Sequence, residues 1–195
     1  DLWNVSVTGN RCEDALNIVR TNFKMINCNI SQTQSDAFDG DFVTGLIKGC
    51  KFENLGNDAI DVSGSDLTIT EVFIDHAGDK GLSAGEDSRM TVSNVEIHNS
   101  EIAVAGKDLS TVNINGMKIE STKLGFTAFK KKPEFGPSDI TVVGLEMTGT
   151  EMNYLIESSS TLYVNGEKIE TTQNVKDRMY GVEFGRSSAE TRNSQ

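Results

Sequence analysis

Written in lines of 22 residues, the chain falls into register with itself. Leu16, Phe38, Ile60, Leu82, Val104 and Phe126 recur at intervals of 22. A second apolar column runs Met25, Ile47, Ile69, Val92, Ile114, Val142 and on to Leu162 or Val164. A third runs Ile30, Phe52, Ile74, Ile97, Ile119, Met147 and Ile169, and Cys28, Cys50, Val72, Val95, Met117 and Leu145 stand between the two. Around these positions apolar and polar residues alternate, as in "LTIT" and "MTVS", which sends every second side chain to one face of a strand. No stretch carries a convincing i, i+3, i+4, i+7 pattern of a helix.

A unit of 22 residues is too small to bury its own apolar face, so successive units must stack and share a core. The corner before the Cys28 column reads Asn27, Gly49, Glu71, Asn94, Gly116, Gly144 and Gly166. Asn and Gly tolerate positive φ best, so a left-handed corner is expected there. Three short strands per unit, each ended by a turn, predict an all-β chain. It would wind as a single-stranded parallel β-helix of about seven coils, rising roughly 4.8 Å per coil. After Phe126 the spacing lengthens to 28, an insertion of six residues within "FKKKPEFGPSD". Residues 1–172 read as the β-helix, with its first coil incomplete. Residues 173–195 read as a terminal strand at "GVEFG" and a polar tail. The abrupt opening on "DLWNVSV" suggests a piece of a longer polypeptide, with flanking domains as its first neighbours.

Composition narrows the function classes. Against 18 basic side chains stand 29 acidic ones, a net charge of −11, which argues against nucleic acid as a partner. No run approaches 18 apolar residues, so membrane insertion is not expected. Three cysteines leave at least one unpaired and give no disulfide framework; Cys28 and Cys50, in an inward column, read as packing residues.

The unusual chemistry is acidic and repeats with the fold. "SDAFDGDF" and "NDAIDVSG" place Asp14, Asp36 and Asp58 in one column, and Asn17, Asp39 and Asp61 in another three positions on. Both should face outward, bordered by Asp41, Asp79 and Glu86. Like charges directly opposite in a sheet destabilise it, so something must compensate. A divalent cation, shared protons, a lysine neighbour, or turn N–H groups capped by the carboxylates would each serve. Lys80 and Lys107 follow in the next coils, so the acidic block runs into a mixed edge suited to a sugar acid. The inserted loop adds Lys130, Lys131, Lys132 and Phe135. It either projects as a cationic and aromatic contact for a glycan or partner protein, or folds back with Phe135 against the helix side.

These columns, with the units "SDAFDGDF", "NDAIDVSG" and "DKGLSAGE", resemble the right-handed parallel β-helix proteins of the pectate-lyase-like superfamily over residues 2–170. The resemblance implies the right hand of the coil. It also implies, through the family's lyases, calcium ligands at Asp36, Asp39, Asp58 and Asp61 and a proton-abstracting base at Lys80 or Lys107. The arginine-centred lyase signature and the hydrolases' aspartate motifs with their His-Gly partner are absent. The expectation is therefore a secreted or cell-surface module contacting polysaccharide or cell-surface glycan, with a uronan lyase or epimerase, or a purely structural or adhesive module, as alternatives.

Overall fold

The computed structural model describes residues 1–181, 183 and 184. The chain forms a parallel solenoid of seven coils preceded by a part-coil. The first six coils each contribute one strand to each of three faces, whereas in the seventh Glu167–Lys168 turns back antiparallel on Thr161–Val164, so that Ile169 does not continue the third column. The first sheet is built from Asp14–Val19, Asp36–Asp41, Ile60–Ser63, Lys80–Gly85, Ile102–Lys107, Leu124–Phe129 and Met152–Ile156, in that order along the axis. The second and third faces join into one sheet, because Arg89–His98, Thr111–Glu120 and Asp139–Thr148 run unbroken through the corner between them. Coils are numbered from their first-sheet strand, so that coil 1 starts at Asp14 and coil 7 at Met152.

Register follows the sequence columns. Leu16 pairs with Phe38, Phe38 with Ile60, Ile60 with Leu82, Leu82 with Val104 and Val104 with Phe126. Met25, Ile47, Ile69, Val92, Ile114, Val142 and Val164 stack likewise on the second face. These side chains fill a continuous core in which Phe38, Phe52, Ile60, Ile74, Leu82 and Phe126 are fully buried. Packing is tight enough to forbid a side chain at Gly45, where a Cβ would lie 2.2 Å from the Phe23 ring. Cys28 and Cys50 are free and buried in this core, and the Cys28 N–H donates to Cys50 Sγ at 3.3 Å.

All three corners turn through left-handed backbone. Between second and third faces, Asn4, Asn27, Gly49, Glu71, Asn94, Gly116 and Gly144 have φ of 52° to 79°. Gln32, Asn54, His76, Asn99 and Ser121 form the equivalent column at the next corner, and Arg20, Phe42, Gly64, Glu86 and Asp108 at the third. Only the first of these columns is rich enough in Asn and Gly to be read from composition. Buried serines close the third corner: the Val43 N–H donates to Ser65 Oγ at 2.9 Å, the Ser65 N–H to Ser88 Oγ at 3.1 Å and the Ser138 N–H to Ser160 Oγ at 3.1 Å.

The C-terminal region departs from the strand-and-tail expectation. Helix α1, Val175–Met179, lies against the outside of the first sheet. Val175, Met179 and Phe184 pack on Ile102, Leu124, Phe129 and Leu155, a second apolar cluster separate from the solenoid core. The i, i+4 pair Val175 and Met179 was its only sequence signal, and five residues are too few to show a period. Of the expected strand "GVEFG", Gly181, Glu183 and Phe184 are not strand, while Val182 and Gly185 lie outside the described residues, as does the tail 186–195.

Because this segment is an addition to the solenoid, it should open independently of it. Met179→Asp is expected to speed amide exchange across residues 174–181 and to leave first-sheet amides of coils 2–4 protected. Loss of protection in both would show that the segment and solenoid form one cooperative unit.

Candidate functional site

The outer face of the first sheet changes chemistry along the axis. Coil 1 presents Asp14 and Asn17, coil 2 Asp36, Asp39 and Asp41, and coil 3 Asp58 and Asp61. Lys80 follows in coil 4 and Lys107 in coil 5. From coil 5 onward the face becomes the apolar bed of helix α1. In-register pairing places each of these side chains roughly 4.8 Å from its counterpart in the next coil, so an acidic zone meets a basic zone without a gap.

The two aspartate columns do different things. In the first, carboxylates cap the backbone of the following coil. Asp36 Oδ1 accepts the Asp58 N–H at 2.9 Å and the Asn57 side-chain amide at 2.6 Å, and Asp58 Oδ1 accepts the Lys80 N–H at 2.9 Å. Asp58 is nearly inaccessible, and its carboxylate also meets Lys80 Nζ at 3.4 Å. Lys80 Nζ bonds Asp79 as well, so two carboxylates share one buried ammonium. Burial pushes the Asp58 carboxyl up to about 7, although Lys80 opposes this. The expectation that Asp58 faces solvent is corrected: it points to the outer face but is sealed beneath its neighbours.

The second column is electrostatic. Asp39 accepts the Asn17 amide at 2.6 Å and pairs across the sheet with Asp61. Burial, followed by the charges of Asp41, Asp61, Asp14 and Asp36, pushes the Asp39 carboxyl up to about 7. One coil away the outcome is opposite. Burial alone would raise Asp61, but Lys107, at 3.4 Å from its Oδ1, and Lys80 outweigh it and hold the carboxyl below the usual range. Asp14 is raised, chiefly by burial. Neighbouring carboxylates on one face therefore hold opposite protonation tendencies, a pattern concentrated at functional sites.

Two roles implied by resemblance do not fit this geometry. Asp58 and Asp61 each turn Oδ1 to a lysine, Lys80 and Lys107, and Asp36, Asp39, Asp58 and Asp61 do not converge as a calcium set. Among the described residues, no group of three or more acidic, histidine or cysteine side chains is placed to hold a metal ion. Lys80 and Lys107 are 7% and 6% exposed. Although burial disfavours their charge, Asp58 and Asp79 raise the pKa of Lys80, and Asp61 that of Lys107. Both amines hold their protons at neutral pH, and neither is a base in this arrangement.

The inserted loop is folded back. Asp108, buried at the first-sheet corner, accepts the N–H groups of Lys131 and Lys132 on one oxygen, each at 2.7 Å. The Lys130 N–H donates to Glu157 Oε2 at 2.9 Å, Lys132 Nζ bonds Glu86, and Phe135 is half-buried. Lysines 80, 107 and 132 thus all reach back one or two coils toward carboxylates. Two participants were missed in the sequence: Asp108, the anchor of the loop, and Tyr180, whose ring takes Lys131 Nζ at 5.3 Å and the Phe129 edge at 6.0 Å. The pairing of a buried aspartate with a distant insertion leaves no periodic trace. At the corner directly after Asp41, Phe42 is 54% exposed with φ of 54° and carries the Arg20 guanidinium 5.5 Å from its ring centre. A shallow groove of about 510 Å³ at another corner, lined by Leu55, His76, Asn99, Ser121 and Lys123, contains none of the acidic-face or inserted-loop residues singled out from the sequence.

Removing Lys80 tests the buried triad. Lys80→Met leaves Asp58 unpaired and should cost about 3–5 kcal/mol of stability at pH 8. Because the folded-state pKa of Asp58 is raised, its contribution is fully present below 3.8 and lost as pH rises through about 7. Without Lys80 that pKa climbs further, so urea melts should show a smaller loss at pH 5 than at pH 8. Equal losses at both would contradict the account.

A family model described as a right-handed β-helix region matches residues 14–194. No curated protein and no solved structure matches the chain. Column register, three-cornered coil and family match agree, and the chain belongs to the right-handed β-helix family.

Proposed function

We propose that this chain is a polysaccharide-binding module that works at the cell surface or outside the cell, with the glycan lying along the outer face of the first sheet. The observation that carries this reading is the crowding of Asp14, Asp36, Asp39, Asp41 and Asp61 on one face, where burial first and the neighbouring carboxylates second push the Asp39 carboxyl up to about 7. The solenoid needs none of that charge for its core, and outward positions elsewhere include hydroxyl pairs such as Thr8 with Ser31 and Thr70 with Ser93. Carboxylates held in fixed register accept hydrogen bonds from sugar hydroxyls, and charge-assisted bonds of this kind are the stronger ones. Exposed Phe42, at the rim beside Asp41, offers an apolar surface to a sugar ring.

Binding rather than catalysis is favoured by the state of the lysines. A lyase or epimerase acting through Lys80 or Lys107 requires a free amine, and both are ion-paired and protonated.

Affinity electrophoresis through gels containing acidic and neutral polysaccharides tests this reading. At least one should retard the protein, and Asp39→Asn with Asp41→Asn should weaken that retardation tenfold or more. Asp66→Asn, exposed on the second face, should leave it unchanged. No retardation by any polysaccharide, or equal retardation of all variants, would overturn it.

A further inference from the structure

Four lysines gather where the acidic zone of the first sheet ends, and three of them are satisfied. Lys80 has Asp58 and Asp79, Lys107 has Asp61, and Lys132 has Glu86. Among the described residues, Lys131 has no carboxylate partner. Its side chain is half-buried, and its ammonium rests over the Tyr180 ring at 5.3 Å. The backbone beneath it is fixed, because Asp108 takes both its N–H and that of Lys132. Tyr180 is fixed in turn against Phe129, one of the apolar residues that seat helix α1.

The setting of this amine is unfavourable for a cation left alone. Burial lowers its pKa, and the charges of Lys107, Lys80 and Lys132 act in the same direction, with Asp61 opposing. An ammonium held on a fixed loop, partly desolvated and among other ammoniums, gains from an incoming anion what it lacks from the protein. An oxyanion there would pair with Lys131 directly and would relieve the mutual repulsion of the cluster.

We propose that Lys131 is the recognition point for an anionic substituent, a carboxylate or sulfate carried on a sugar, at the basic end of the first-sheet face. This rests on the polysaccharide-binding reading and adds polarity to it: neutral hydroxyls lie over the aspartates of coils 2 and 3, and the charged group lies against the inserted loop. Lys131 is thereby the residue that selects acidic over neutral glycan. Tyr180 is a positioning residue, acting through the side chain it supports.

Calorimetry with the whole chain tests this, using oligogalacturonate, its methyl ester, and a neutral oligosaccharide with and without sulfate. The expected result is that one charged probe binds more tightly than its uncharged counterpart, and which one identifies the anion. Lys131→Gln should weaken that probe roughly ten- to hundredfold, bring it level with its neutral counterpart and remove most of its salt dependence. Lys130→Gln, on the same loop, should change little. Lys131 makes no ion pair among the described residues, so the substitution keeps the fold, which unchanged thermal melts would verify. Charged and neutral probes binding equally, or Lys131→Gln binding like wild type, would overturn the subsite while leaving the polysaccharide reading standing. No binding of any probe would remove both.

Discussion

Parallel coils stacked in register force every side chain to lie against its counterpart one unit away. Each first-sheet strand exchanges backbone hydrogen bonds with the strands of the coils before and after it, so the spacing between coils is fixed and cannot relax around an unfavourable pair. Inside, the constraint is welcome, since Phe38 on Ile60 and Ile60 on Leu82 bury apolar surface against apolar surface. At the corners it repeats one left-handed residue per coil and stacks buried serines. On the outer face it brings carboxylates together. The structure answers that crowding in two ways, by engaging Asp36 and Asp58 as caps on the backbone of the following coil and by sending Lys80 and Lys107 back toward the acids.

The fold was legible because its cause is periodic. A repeat of 22 residues is visible wherever a position must be apolar in every coil, and the register of Met25 through Val164 follows that column without a slip. The Asn and Gly corner was legible for the same reason. Arg20, Phe42 and His76 adopt the same left-handed backbone. No residue type marks those corners, because the neighbouring coil supplies enough hydrogen bonding to hold any side chain there. Helix α1 was hidden because it is short and occurs once.

The candidate site was legible in membership and not in arrangement. Asp36, Asp39, Asp58, Asp61, Lys80 and Lys107 all belong to one face, as their columns require. Which aspartate is buried, which is paired and which is left strained depends on side-chain direction at the strand ends, where the outward column of Asp58 continues into Ile102 and Leu124. Sequence spacing does not encode that turn. Nor does it encode the meeting of Asp108 with a loop 23 residues on, through which an insertion that reads as a projecting arm becomes a fixed wall.

The central claim is that this face keeps a carboxylate group under strain that the fold does not need. Carboxyl-carbon NMR titration of Asp39 tests it most directly, in the wild-type chain and in Asp41→Asn. The account predicts a midpoint at about 7 that falls when the Asp41 charge is removed. A midpoint near the ordinary aspartate value of about 3.9, unmoved by Asp41→Asn, would contradict it.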